Sequence, residues 1–556
     1  MTEVIKDDFN LSTEYEHYTS FNPLFEYTGV KPHKEVKEYT KKISYNEYEF
    51  TDLSGNKRVC YKKFITLVDF VKFLIGKFKS DDMLMLPKSD HQESSDNILN
   101  PCIQCPHNYA YVDGFFYYIT SQLKKNGFQH GIELYDSYIC IKNNFEIDIA
   151  DDFEYIGDSN FFNEKINQLF HFKDESISTI FKKDLKLDPI KISEEEIEIE
   201  MDDVIIELVD GIYDLDINDL NNIRDNSISE VGEIKVDEIK VVEIKVDDEE
   251  TFQCKSNTDD DNSDVDYSEN EDSDDDEEAV EEWETDSEEI EDDSSFHGSS
   301  EEELQKLILV INRIPTQVVA IEKCHNTFDT LLNNNDIKIE ELESAIFQII
   351  VMLYVYQNKF QFTHNDLHTN NIMFISTDQE FLTYKIKGQL FKIPSFGRLF
   401  KIIDFGRAIY TVNDKIVCSD SFSENGMAHT QYNFEPFYNQ NKQIIKPNYS
   451  FDLCRLACSM LDFIIDDLDD LEKFKEIPIY HLIISWIYDD NGINILYKRN
   501  GEERYPDFKL YKMISRIVHN HIPEKQFEHD CFKKYIVTNE IVTMDLDSLL
   551  INSIKI

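Results

Sequence analysis

Two acids and an amide stand where their spacing could do chemistry. In Phe362-Thr-His-Asn-Asp-Leu-His-Thr-Asn-Asn-Ile-Met-Phe374, Asp366 comes two residues after His364 and five before Asn371. In Lys401-Ile-Ile-Asp-Phe-Gly-Arg-Ala408, a second acid, Asp404, sits between an apolar run and a Phe-Gly turn. One carboxylate can orient an attacking hydroxyl, while an amide and a second carboxylate hold magnesium against a nucleoside triphosphate. That is the apparatus of phosphoryl transfer. Asp-Phe-Gly alone is a common tripeptide, so the reading rests on both patterns occurring in this order.

The elements that must position these groups follow from periodicity. Leu342, Ile346, Ile349, Ile350 and Leu353 mark an apolar helix leading into the first motif. Asp366 then falls in a tight loop, and Asn371 falls where that loop enters a strand, Ile372-Met-Phe-Ile. Phe400-Lys-Ile-Ile reads as a short buried strand presenting Asp404 at its end. The gap from Asn371 to Asp404 is 33 residues. Upstream, Tyr48–Asp52 and Arg58–Thr66 flank Gly55-Asn56 and read as a hairpin. Val112, Phe115, Phe116, Ile119 and Leu123 form one helical stripe, and a strand follows from Ile132. Val318–Ile321 is a buried-strand run, followed by a turn at 322–326. A helix starts at Phe451, with further helices near 480–488 and 509–519.

The net charge of −56 over 556 residues is unevenly spread. Residues 194–303 hold 47 acids against 5 bases, leaving 64 and 50 elsewhere. Glu-Ile-Lys-Val recurs at 233, 238 and 243, a spacing that suits neither helix nor strand. Such a segment cannot bury enough apolar area to offset its ordering entropy, so disorder is expected. Repulsion of phosphates makes direct nucleic-acid binding unexpected. The segment is a solvated spacer or a surface that captures basic partners, and Ser263, Ser273 and Ser287 each precede acids. Ten scattered cysteines fit reduced thiols, and Cys102-x-x-Cys105 is a lone pair. With no signal-peptide pattern and no membrane-length apolar run, a soluble intracellular protein without membrane contact is expected.

Residues 45–150 and 315–460 resemble the protein-kinase fold. The run Asp366-Leu-His-x-x-Asn371 is similar to haspin-like kinases and aminoglycoside phosphotransferases. Phe396-Gly-Arg-Leu-Phe-Lys-Ile-Ile-Asp-Phe-Gly-Arg-Ala408 and Ser450-Phe-Asp-Leu-Cys-Arg-Leu456 resemble divergent Ser/Thr kinases of giant DNA viruses. The resemblance implies an α+β, two-lobed protein with a long acidic insertion in its first lobe and, because the Asn371–Asp404 gap exceeds the family's usual spacing, an inserted hairpin between them. The implied parts are an N-terminal extension (1–45), a first lobe (46–150), the insertion (151–303), a last strand and hinge (304–324) and a second lobe (325–556).

It also implies roles. Asp366 is the catalytic base, Asn371 and Asp404 are magnesium ligands, and Asp452 braces the loop from a later helix, with a surface Asp as the plain alternative. His364 packs beneath the loop. Lys63 grips the ATP phosphates, with Lys62 as rival and a solvated strand face as the plain alternative. Glu322 and Cys324 fall at the adenine-binding hinge, which works through backbone groups. The expected helix glutamate is missing; Asp113 is either a shorter partner for Lys63 or an ordinary helix-start Asp. Asn365 replaces the Arg that would receive an activating phosphate, and no glycine-rich loop is present. ATP and Mg2+ are therefore the implied cofactors and a Ser/Thr protein the implied substrate, in a host cytoplasm or a virion if the chain is viral. The alternatives are a pseudokinase acting as a binding module and, from His368, a small-molecule phosphotransferase.

Overall fold

The computed structural model describes residues 14–31, 34–78, 84–89, 101–174, 306–334, 336–465 and 471–553. The Glu-Ile-Lys-Val repeats, the acidic run expected to be disordered and its three serines lie outside them. The described chain mixes helices with antiparallel sheet, an α+β arrangement.

The largest sheet holds β1 (Tyr15–Thr19), β2 (Val36–Lys42), β3 (Glu47–Asp52), β4 (Lys57–Thr66), β5 (Leu134–Asp148), β6 (Phe170–Phe172) and β7 (Ile308–Glu322). Its order is β1-β5-β7-β4-β3-β2, with β6 also pairing β7. The β3–β4 turn is local chemistry: the Asp52 carboxylate accepts the N–H groups of Ser54 and Asn56, while Gly55 takes φ +88°. The sheet curls, so both faces are covered. One face packs under α1 (Tyr109–Lys125); the other buries Tyr48, Phe50, Cys60, Tyr135 and Ala320 among themselves. Gly114 lets α1 approach β7 closely, because a Cβ there would lie 2.0 Å from the buried Gln317 side chain.

Two expected boundaries move. Residues 15–42 are not a separate extension: β1 pairs with β5 and β2 with β3, so they complete the sheet. The sheet-bearing part also does not stop at 150. Short helices at Phe153–Gly157 and Asn160–Lys165, followed by β6, bury Ile156, Phe162, Phe170 and Phe172. Local apolar content in that stretch outweighs its acidity.

The remaining chain is built around α2 (Ile339–Phe360), buried over most of its circumference as a central helix must be. Beside it, β9 (Ile372–Ser376) pairs with β12 (Arg398–Ile402) and with the short β8 (Asn326–Thr327). Between them lies the inserted hairpin, β10 (Phe381–Ile386) and β11 (Gln389–Pro394). β13 (Ile409–Val412) and β14 (Lys415–Cys418) follow as a second hairpin, then α3 (Phe451–Ile464) and α4 (Phe508–Ile517). Strands β15 (Ile536–Val537) and β16 (Met544–Asp545) cover the inserted hairpin. Among the described residues no helix is long and apolar enough to cross a membrane.

Candidate functional site

The strand pleat decides between the two adjacent lysines. Lys63 opposes Val319 on the face beneath α1, and Lys62 opposes Ala320 on the other. Lys62 is fully buried, its Nζ 3.6 Å from the Tyr39 ring centre, 4.0 Å from that of Tyr48 and 3.2 Å from the Tyr138 hydroxyl. Burial pushes its ammonium down to about 8. Lys62 is a core lysine in a tyrosine cage.

Lys63 Nζ lies 2.9 Å from Asp113 Oδ2 and 3.0 Å from Asp404 Oδ1. Asp113, in the first turn and a half of α1, is thus the shorter partner rather than a surface acid. Its other oxygen accepts the Phe405 N–H at 2.6 Å, and the Tyr117 hydroxyl, one turn along, accepts the Asp404 N–H at 3.1 Å. Burial pushes the Asp113 carboxyl up to about 6, with Lys63 pulling down and Asp404 adding to the rise. Burial opposes charge on Lys63, but the two carboxylates hold its pKa well above the ordinary value. Asp404 is half-exposed at its side chain; Lys63 and, secondarily, His364 outweigh desolvation and hold its carboxyl below the usual range. Asp404 has φ 63°, a left-handed conformation that costs a non-glycine residue about 1–3 kcal/mol and persists only where surroundings enforce it.

Those surroundings are aromatic. Phe405 packs on Phe116 at 4.6 Å, Tyr117 at 5.0 Å and His364 at 5.7 Å, and Phe362 stacks on Phe116 at 4.4 Å. Each such pair adds about 0.5–1.5 kcal/mol beyond its buried area. The apolar stripe of α1 therefore fixes both motifs to the same helix that carries Asp113.

The 364–371 loop is braced from beneath. Asp452, fully buried at the start of α3, accepts the His364 N–H at 2.9 Å and the Asn365 N–H at 2.9 Å. Burial pushes its carboxyl up to about 7 against the pull of those donors. His364 is buried with Nε2 2.9 Å from the Ile403 carbonyl, and burial lowers its pKa. Asn365, at φ 64°, bonds the Arg407 carbonyl and receives the Tyr432 hydroxyl at 2.8 Å. Asn371 donates Nδ2 to the Asp366 carbonyl at 2.9 Å and lies 3.0 Å from His368 Nε2. That leaves Asn371 Oδ1 as the amide atom available to a cation. Ile403 donates its N–H to the Asn371 carbonyl at 2.9 Å, so Asn371 and Asp404 leave neighbouring strand ends.

Asp366 faces a group that sequence reasoning missed. Its Oδ1 accepts the Tyr511 hydroxyl at 2.9 Å, and Arg407 lies 3.6 Å from Oδ2. Arg455 Nε in turn donates to the Tyr511 oxygen at 2.9 Å. Tyr117 could have been found as the residue four after Asp113; nothing in the sequence signals Tyr511, which meets Asp366 only through packing of α4.

Glu322, expected at the hinge, is the last residue of β7. Its N–H is committed to the Glu133 carbonyl and its carboxylate to Lys124 at 2.7 Å and Lys401 at 3.4 Å. Half-buried Cys324 lies beyond the strand, and between them Lys323 pairs with Glu47 at 2.9 Å.

Over 57 residues the chain is 37% identical to a probable serine/threonine-protein kinase of Dictyostelium discoideum. That stretch is 10% of this chain and 5% of the Dictyostelium protein. No known protein family's profile matches the chain. The likeness is to a kinase, and it is local.

Asp404 and Asn371 Oδ1 are the atoms of this site that could hold a cation. Among the described residues no three His, Cys, Asp or Glu side chains form a metal-binding set. An ion here would draw on Asp404 and Asn371, with phosphate and water completing its shell, which is how magnesium is commonly held.

Proposed function

We propose that this chain is a two-lobed, ATP- and magnesium-dependent protein kinase acting on Ser or Thr hydroxyls. The observation that carries the reading is Lys63 held between Asp113 and Asp404, one strand end away from Asn371. The curled sheet with α1 would be the first lobe and the α2-centred part the second, with nucleotide between them. Asp404 and Asn371 Oδ1 would hold magnesium, and the ion when bound would offset charge on the triphosphate. Lys63, kept cationic by its two carboxylates, would move one of its N–H donors to phosphate oxygens. Asp366 would accept the hydrogen bond of the acceptor hydroxyl and take up its proton. Such a set works through positioning and fixed charge.

A second reading, a kinase-shaped binding module, is favoured by one feature: both Asp366 oxygens face protein partners, Tyr511 and Arg407. Radiolabelled ATP with magnesium and a mixed protein substrate separates the two. Label incorporated by the wild type and reduced by about 10²-fold or more in Asp366→Ala supports the kinase. Label equal in the two proteins, or absent from both, refutes it.

A further inference from the structure

Tyr511 marks where an acceptor hydroxyl would sit, because it already donates to Asp366. It belongs to α4, a ten-residue helix with three basic residues and no acid. Phe508, Tyr511 and Ser515 form its inward stripe: Phe508 stacks on Tyr511 at 5.5 Å and Ser515 is buried. Lys509, Lys512 and Arg516 form the adjoining stripe at helical spacing. Lys442, from the segment before α3, joins them. After burial, the charges of Arg516, Lys442 and Lys509 hold Lys512 below its ordinary value, so the four cations share one neighbourhood. Among the described residues none of the four has a carboxylate within ion-pair distance, although the chain carries a net charge of −56. Arg407 and Arg455 continue the positive surface to Asp366 itself, each with its guanidinium over the Tyr511 ring, at 5.7 and 5.1 Å.

We propose that this basic stripe docks an acidic segment, a Ser or Thr flanked by Asp and Glu, whose hydroxyl replaces that of Tyr511 at Asp366. This rests on the kinase reading and names its substrate class. Arg516 donates to the Lys512 and Thr430 carbonyls, but no carboxylate offsets the four charges, and the repulsion among them is relieved by an acidic ligand; such complementarity governs selection more than raw affinity. In the transfer step the acceptor oxygen bonds to the γ-phosphorus of ATP as the bond to the ADP oxygen breaks, and the hydroxyl proton passes to Asp366.

The test uses the full chain and two synthetic peptides. One has the sequence Glu-Asp-Ser-Asp-Asp-Asp-Glu-Glu; the other has each acid replaced by its amide. The acidic peptide is expected to have a kcat/KM at least about tenfold higher at low salt, with the ratio falling as salt rises. In Lys442→Glu/Lys509→Glu/Lys512→Glu that ratio should drop by about tenfold or more. Lys442→Gln/Lys509→Gln, at two exposed positions, replaces this variant if it fails to fold. Equal use of both peptides, or a ratio unmoved by the variant, overturns the proposal. Fluorescence anisotropy of the labelled acidic peptide, without nucleotide, separates docking from catalysis. Binding weakened by the variant, with no transfer to either peptide or to the mixed protein substrate, keeps the docking surface and retires the kinase reading. Binding unaffected by the variant overturns the docking surface.

Discussion

The loop from His364 to Asn371 and the cluster of Lys63, Asp113 and Asp404 are held in different ways. The loop is fixed through its backbone: Asp452 receives two buried N–H groups, and Asn371 and Asn365 tie further carbonyls. The cluster is fixed through side-chain charge, with Asp113 buried, Lys63 about a quarter exposed and Asp404 half-exposed. A buried carboxylate that accepts backbone N–H groups has no substitute, whereas water can reach part of the ion cluster. The brace should therefore act on stability and the cluster on chemistry.

Asp452→Ala is the strongest probe of that contrast. It strands two buried N–H groups, each costing about 1–3 kcal/mol, so the folded state should be destabilised by about 2–6 kcal/mol. Urea or thermal unfolding measures this; a loss under about 0.5 kcal/mol would mean the loop holds itself.

Asp420 ties the chain after β14 to α1, accepting the Tyr109 N–H at the start of that helix at 2.8 Å. Burial pushes its carboxyl up to about 7. The folded state thus binds this proton more tightly than the unfolded chain. Its stabilisation is complete below about pH 4 and is lost as pH rises through 7. Asp420→Asn keeps an oxygen for Tyr109 and removes the titration. Its unfolding free energy should fall less between pH 4 and 7 than the wild type's, by on the order of 2–3 kcal/mol. Parallel profiles for the two proteins would show that Asp420 titrates normally.

Lys63→Met should have the smallest effect on stability and the clearest effect on chemistry. Without its cation, Asp113 is left buried beside Asp404, but it can take up a proton instead of remaining charged. The melting temperature should shift by only a few degrees, while phosphoryl transfer falls about 10²-fold or more. A large melting shift with transfer retained would reverse the contrast between the two regions.

Legibility followed the same division. The loop and its strands were readable because their residues are contiguous and their periods are local. The 33-residue gap announced the β10–β11 hairpin, and the stripe from Val112 to Leu123 announced α1. Asp452 could be named because it opens a helix with a recognisable run. Lys63 against Lys62 stayed open, since adjacent strand residues point to opposite faces and only β7 fixes which face meets α1. Asp113 stayed open for the same reason. Tyr511 was invisible: 145 residues separate it from Asp366. At 151–174, grouped by sequence with the insertion, Ile156, Phe162, Phe170 and Phe172 join the core.

By itself, the order of residues determined which groups could do chemistry and which short elements carry them, because spacing and periodicity act over a few residues. Folding decided which lysine faces Asp404, that Asp113 is its partner, that Glu322 belongs to the sheet and that Tyr511 covers Asp366. Those choices depend on how strands pair and helices pack across hundreds of residues, and no local pattern encodes them.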